Sequence, residues 1–326
     1  MRLEFKELGR SGTKISAVGL GTWQWGSREW GWGRGYGKKD VLEAFQKALD
    51  LGINFIDTAE IYGMGKSEEL IREAIRGHRE DVVIATKIWP LNLSYGRLKR
   101  AADRSLRRLG IDVIDLYQIH WPNPIFPIGN TMKSMKKLVQ AGKIRSVGVS
   151  NFNLTRMKTA KESLAPLDLA SNQVKYSLLD RGVESELLPY AEASKITVIA
   201  YSPLAFGLLT GRYTPESKPT SIVQAVNRRF SKRNLTQLSS LLAVISEIAK
   251  DHDKTLSQVS LNYLICKPTV VTIPGAKRPD HVADSAGATD WRLTESEVTR
   301  LTAAASELKF DRLSGIPNLL KTITYL

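Results

Sequence analysis

Four side chains able to move or stabilise a proton stand at or just past the ends of short β-branched runs. Asp57 closes residues 53–57, Tyr62 follows it, Lys87 closes residues 82–87 and His120 closes residues 113–120. A free phenol titrates at about 10, too high for efficient proton exchange near neutrality. A neighbouring ammonium would stabilise the phenolate and lower that value. A carboxylate paired to the lysine would hold the ammonium in place and keep it charged. An imidazole on the other side could hydrogen-bond a substrate oxygen, so the set could protonate an oxyanion as it forms. It offers no evident nucleophile. The other histidines, His78, His252 and His281, lie too far apart in sequence to form a zinc motif. Singly, each residue has a plainer use as a helix cap, a solvated charge or a packed ring. The reading rests on their joint position on successive strand ends.

The elements that must position them repeat. Eight runs, at residues 18–21, 53–57, 82–87, 113–120, 144–149, 169–174, 196–201 and 270–273, read as strands. Their spacing mostly suits one strand, one helix and two short loops. Residues 40–51 read as a helix with Leu42, Phe45 and Leu49 on one face, a capping box at Asp40 and Glu43, and Gly52 as its stop. Ser67 is placed to cap a helix over 68–76, with Leu70, Ile71, Ala74 and Ile75 inward and Gly77 ending it. Residues 97–109 and 132–141 follow suit before Gly110 and Gly142.

Eight βα units predict an α/β fold, a (β/α)8 TIM barrel, in one domain over residues 1–326, since closing a parallel sheet covers it and removes its edges. The alternative, an open doubly wound sheet, favours a glycine-rich first turn, and Gly19-Leu20-Gly21-Thr22-Trp23-Gln24 lacks the third glycine. Gly31, Gly33, Gly35 and Gly37 follow no strand pattern and read as a mobile loop. Three additions are expected: an N-terminal hairpin over 3–16 that plugs one end, a long loop over 203–234 after the seventh strand, and an extra C-terminal helix over 294–308. The tail 311–326 matches no element.

Composition fits this. The 326 residues are 42% hydrophobic and 25% charged, as in folded globular chains and unlike disordered ones. No apolar run approaches the roughly 20 residues that span a bilayer, so no membrane segment is expected. The N-terminus does not read as a leader, and the single Cys266 has no internal partner, so a cytoplasmic location is expected. Lysine and arginine number 47 against 33 acids, for a net charge of +14. That field keeps nucleic acid, phosphorylated substrates and nucleotide cofactors open. The densest clusters, Arg104–Arg107–Arg108 and Arg228–Arg229–Lys232–Arg233, read as solvated faces. Oligomeric state is not legible in the pattern.

In a barrel of this kind chemistry sits at the C-terminal strand ends. Besides the four residues above, those ends hold Trp121, Ser150–Asn151, Asn172–Gln173, Tyr201–Ser202–Pro203 and Pro274–Gly275. The strings GLGTWQWG, FIDTAEIYG, IATK, DLYQIHWP, IRSVGVSNF, NQVKYS, AYSPLAFGLLTG and TIPGAK stand in the order found in the aldo-keto reductases. From about residue 8 to 308 the chain resembles that family, and most of all its branch whose last barrel strand reads IPGA before a basic residue.

The resemblance implies a reversible, NAD(P)H-dependent carbonyl reduction with a catalytic tetrad of Asp57, Tyr62, Lys87 and His120. Tyr62 would be the general acid, Lys87 would depress its pKa, Asp57 would anchor Lys87, and His120 would orient the carbonyl. Hydride would pass from carbon 4 of the nicotinamide, with no metal. Ser150, Asn151 and Gln173 would hold the carboxamide, and Tyr201 would stack on the nicotinamide. Ser202, Pro203, Leu204, Gly207, Leu209 and Gly211 would lie along the pyrophosphate, making the start of the 203–234 segment a lid. Gly21, Thr22, Trp23 and Ile273 would border the same cofactor. Gly275, Ala276 and Lys277 would meet the adenosine ribose and its 2′-phosphate, with His281, Asp284 and Ser285 around the adenine. His281 and Ser285 depart from the residues usual in the family and would reshape that end. Lys277 and Arg278 keep positive charge there, which favours NADPH over NADH.

Six tryptophans, Trp23, Trp25, Trp30, Trp32, Trp89 and Trp121, fall in loops or at strand ends on this side. Trp23, Trp89 and Trp121, with Tyr62 and His120, are the expected substrate wall, suited to aromatic or medium-chain aldehydes and ketones. The partner expected is thus a small carbonyl substrate, with no nucleic acid and no membrane. Two other classes compete. One is an NADPH-binding, redox-sensing regulatory subunit on the same scaffold with slow turnover. The other is a nucleic-acid binder, for which the chain shows no recognised module.

Overall fold

The computed structural model describes residues 3–90 and 94–310. An antiparallel hairpin, β1 (Phe5–Glu7) and β2 (Lys14–Ser16), comes first. Eight parallel strands follow: β3 (Leu20–Gly21), β4 (Phe55–Asp57), β5 (Val83–Ile88), β6 (Ile114–Ile119), β7 (Ile144–Ser150), β8 (Leu169–Lys175), β9 (Thr197–Tyr201) and β10 (Val270–Thr272). They pair in sequence order from β3 to β10. The ring closes where Val18 bridges Thr272 and Gly21 bridges Gly275, both in parallel. The (β/α)8 barrel is therefore the observed architecture, and all eight predicted runs become strands.

Helices α1 (Lys38–Asp50), α2 (Lys66–Ala74), α3 (Tyr95–Leu109), α4 (Ile128–Gln140), α5 (Leu154–Leu164) and α6 (Leu187–Ala193) alternate with the strands. After β9 come α7 (Ile222–Ala225), α8 (Lys232–Asp251) and α9 (Leu256–Ile265), then α10 (Pro279–Ala286) after β10 and α11 (Glu295–Glu307). The stops at Gly52, Gly77, Gly110 and Gly142 all have positive φ, the conformation that lets glycine terminate a helix. Thr294 and Glu297 form a capping box on α11, and Leu301 of that helix is fully buried.

Several helix starts differ from the sequence reading. Asp40 is not an N-cap: it is the third residue of α1, and its carboxylate accepts the Gly37 N–H. Ser67 lies inside α2, its hydroxyl bonded to Thr22 and Thr58 instead of to the helix end. The glycines at 31–37 are not a loose loop. A 3-10 turn at Arg28–Trp30 and a Trp32–Tyr36 bridge shape the segment, and Trp30 and Tyr36 are buried. The tail 311–326 lies outside the described residues.

The barrel interior is layered, and side-chain period explains the layers. Phe55, Ala85 and Leu116 point inward and pack with Ile199 and Val271 on Leu8 and Ile15 of the hairpin, which thus plugs one end. Gly9 lies so close to β8 that a Cβ there would sit 2.8 Å from the Ala170 Cα. Two residues further along the same strands stand Asp57, Lys87 and Gln118, so the layer above the apolar floor is polar. Leu8→Ala should lower unfolding free energy by about 2–5 kcal/mol, as for other fully buried leucines. Urea denaturation reads this, and a loss below about 1 kcal/mol would mean that the hairpin does not close the core.

Candidate active site

Lys87 has no exposed surface, and burial pulls its ammonium below the ordinary lysine value while Asp57 pulls it back up. Its Nζ donates to Asp57 Oδ1 at 2.5 Å, to the Thr58 carbonyl at 2.8 Å and toward the Tyr62 hydroxyl at 3.3 Å. The second Asp57 oxygen accepts from Gln173 Nε2 at 2.8 Å and lies 3.4 Å from Gln118 Nε2. Lys87 is two residues above Ala85 on β5 and Asp57 two above Phe55 on β4, which aims both charges into the barrel. Burying such a pair is costly, and removing one partner strands the other charge at a cost of about 3–5 kcal/mol. Gln118 and Gln173 offset part of that cost by donating to the carboxylate.

Tyr62 follows β4 on a turn that only its neighbours permit. Gly63, Met64 and Gly65 all have positive φ, and a Cβ on Gly63 would come within 2.9 Å of the Gly26 backbone. The His120 ring lies 5.8 Å from Tyr62 and 5.5 Å from Trp89, edge-on to both. Trp23 stacks on the other side of Tyr62 at 6.3 Å. Deeper under the mouth, Asn151 donates to the His120 carbonyl and accepts from the Tyr201 hydroxyl at 3.0 Å, while Ser150 donates to the Gln173 carbonyl. Asn151, Ser202, Ala205 and Phe206 all hold positive φ without being glycine. Such backbone strain gathers at functional sites.

Burial pushes the Tyr62 phenol well above 10, and the Asp57 charge adds to this. Burial thus acts on the phenol against the lowering expected of a neighbouring ammonium. His120 is driven well below 6.5, first by burial and then by Lys87, so its ring is neutral. Its Nδ1 is buried with no partner among the described residues.

These residues open on a cavity of about 1630 Å³. That exceeds the roughly 300–1,000 Å³ of a site for one drug-sized ligand. Gly21, Thr22, Trp23, Asp57, Tyr62, Trp89, His120, Trp121, Ser150, Asn151, Gln173, Tyr201, Ser202, Pro203, Leu204 and Gly207 line it. So do Ile273, Gly275, Lys277, His281, Asp284 and Ser285 at its far end. Leu209 and Ala276 are buried behind the wall, and Gly211 does not border the cavity. Trp25 is fully buried, its indole donating to the Ala276 carbonyl, and Trp32 packs on Tyr36; neither borders the cavity.

Lys277 reaches the Trp30 carbonyl at 2.9 Å and lies 4.5 Å over the Tyr36 ring. Burial, with Arg212 and Arg278 nearby, pulls its ammonium down to about 8. Arg278 turns away to the Gly35 carbonyl and toward Asp40, tying down the glycine segment. Sequence reasoning missed Gln24, Lys175, Asp180, Phe206, Arg212 and Arg229, all of which line the cavity. Phe206 stacks on Trp30 at 6.1 Å, which draws the segment after β9 over the mouth. The residues present fit a nicotinamide dinucleotide. Amide and hydroxyl groups stand beside the tetrad, Tyr201 offers an aromatic face, and cations with polar groups close the distant end.

An eight-stranded parallel barrel with a buried Asp–Lys pair under a tyrosine and a histidine defines an oxidoreductase of one known class. The Aldo/keto reductase family profile matches residues 17–306, and the chain belongs to that family. An uncharacterised oxidoreductase of Mycobacterium tuberculosis, Rv2298, is 42% identical over 292 residues, covering 90% of both chains. The NADH-specific methylglyoxal reductase of Escherichia coli is 31% identical, covering 93% of this chain and 98% of its own. The crystal structure of an aldo-keto reductase from Klebsiella pneumoniae in complex with NADPH superposes with a TM-score of 0.75 at 30% identity, covering 93% of this chain and 95% of its own. Among the described residues no helix is long and apolar enough to cross a membrane.

The depressed His120 pKa has a sign that can be checked. The unfolded imidazole takes up a proton near 6.5 and the folded one does not, so this group's contribution to stability is lost as pH falls through 6.5. In NMR titration the His120 ring should keep neutral-form shifts through pH 6. A ring that titrates at 6.5 or above would contradict the assignment.

Proposed function

We propose that the protein reduces aldehydes and ketones to alcohols with NADPH, Tyr62 acting as the general acid. One observation carries this reading: beneath the cavity, the Lys87 ammonium spans Asp57 and the Tyr62 hydroxyl, both of which line it. Bound NADPH supplies the hydride. The chain supplies the proton and the field. The neutral His120 donates to the carbonyl oxygen and fixes its direction. As negative charge grows on that oxygen, the Tyr62 O–H transfers its proton, and the adjacent ammonium stabilises the phenolate left behind. The high phenol pKa suits this direction, because the donor stays fully protonated at neutral pH. Trp23, Trp89 and Trp121 provide an apolar wall that excludes water from the reacting atoms.

For the cofactor, Ser150, Asn151 and Gln173 would hold the nicotinamide amide, and Tyr201 its ring. The residues from Ser202 to Gly207 would follow the phosphates. Lys277, with Arg212 near it, supports a preference for NADPH, since a 2′-phosphate needs cationic donors. The NADH-specific relative shows that the opposite choice exists within the family.

The test is NADPH oxidation with 4-nitrobenzaldehyde, methylglyoxal and pyridoxal, repeated with NADH and with Tyr62→Phe. We expect multiple turnovers, faster with NADPH, and a loss of roughly 10²–10⁴-fold in the variant. Turnover that survives in Tyr62→Phe would remove the tyrosine from its role. Tight NADPH binding without turnover on any carbonyl would favour a redox-sensing regulatory subunit.

A further inference from the structure

The cavity wall above the tetrad carries more positive charge than the proposed reduction of a neutral carbonyl uses. Gln173 and Lys175 stand two residues apart on β8 and so face the same side. Gln173 reaches Asp57, which places the Lys175 backbone roughly 7 Å further toward the barrel mouth on the inward face. The Lys175 ammonium meets Asp180 at 3.2 Å and lies 5.7 Å from the Phe206 ring, which in turn packs on Trp23 beside Tyr62. Asp180 is also gripped by both terminal nitrogens of Arg229, at 2.7 and 2.8 Å. One carboxylate thus serves two cations, and all three side chains line the cavity.

Resting on the reductase reading, we propose that Lys175, Asp180 and Arg229 form an anion subsite for the carboxylate or phosphate of an acidic carbonyl substrate. The carbonyl would lie at Tyr62 and His120 with the anionic group held toward Lys175. An aromatic or short aliphatic body between them would rest on Trp23 and Phe206. Burial lowers the Lys175 pKa, so the ammonium gains from any further anion brought beside it. Asp180 is held low by Arg229 and Lys175, so it stays ionised and holds both cations on the cavity wall.

The experiment compares 4-carboxybenzaldehyde with benzaldehyde. We expect wild type to favour the carboxylate form, and Lys175→Met to lower the ratio of the two kcat/KM values by about tenfold or more, the worth of one charge-assisted contact. Asp180→Asn, which removes the neutralising charge, should leave that ratio level or raise it. An unchanged ratio in Lys175→Met overturns the subsite. So does an equal loss on both substrates with weakened NADPH binding, which would assign the lysine to the cofactor's phosphates. Quenching of tryptophan fluorescence by 4-carboxybenzyl alcohol and by benzyl alcohol needs no turnover. Tighter binding of the acid that Lys175→Met abolishes upholds the subsite even if no carbonyl is reduced. Equal binding of the two alcohols refutes it even in an active enzyme.

Discussion

A lysine ammonium with no contact to solvent organises this molecule. Lys87 can stay charged only because Asp57, the Thr58 carbonyl and Tyr62 surround it, and Asp57 can stay charged only because of Lys87 and two glutamines. Those groups come from four different strands or strand ends of the barrel. Each strand must therefore keep its register, since a slip of one residue would turn the charge into the apolar layer on the other face. The fold holds the pair in place. Low-dielectric surroundings strengthen the pair's effect on the phenol beside it.

The apolar layer below explains why the polar one can exist. Leu8 and Ile15 close the barrel from the hairpin side, and Phe55, Leu116, Ile199 and Val271 fill it. Water is thereby kept from reaching the ion pair from beneath. Above the pair the walls change character. Trp23, Trp89 and Trp121 make an apolar rim, while the segment after β9 brings Phe206 against Trp30 and Arg229 against Asp180. Chemistry is set by the floor and selectivity by the rim, and the two are built from different parts of the chain.

Much of this was legible in the sequence because the strands carry their own signal. Alternation in a β-branched run states which residues share a face, so Asp57, Lys87 and His120 could be placed at the mouth from spacing alone. Tyr62 was legible by its short distance from a strand end. What the pattern could not show depends on how loops fold over the barrel. Trp25 and Trp30 look alike in sequence, yet one points into the core and the other onto Phe206. Lys175 carries no signal of its own in the sequence, because its place on the cavity wall depends on Asp180 and Arg229. Asp40 and Ser67 are the third and second residues of their helices and not the caps, because a glycine N–H and buried hydroxyls offer them partners there. The direction of the Tyr62 pKa also needs the structure, since it depends on burial and on the nearby Asp57 charge.

Burial and the Asp57 charge raise the proton affinity of Tyr62, and the Lys87 ammonium beside its hydroxyl opposes that rise. The most direct test is the pH dependence of 4-nitrobenzaldehyde reduction in the wild type and in Lys87→Met. The wild-type rate should stay level through neutral pH and fall only on an alkaline limb above the ordinary phenol value of 10. In Lys87→Met the rate should drop by about 10²-fold or more, with the limb moved to still higher pH because the opposing charge is gone. A variant that keeps both the wild-type rate and the wild-type limb would show that the lysine does not act on the tyrosine.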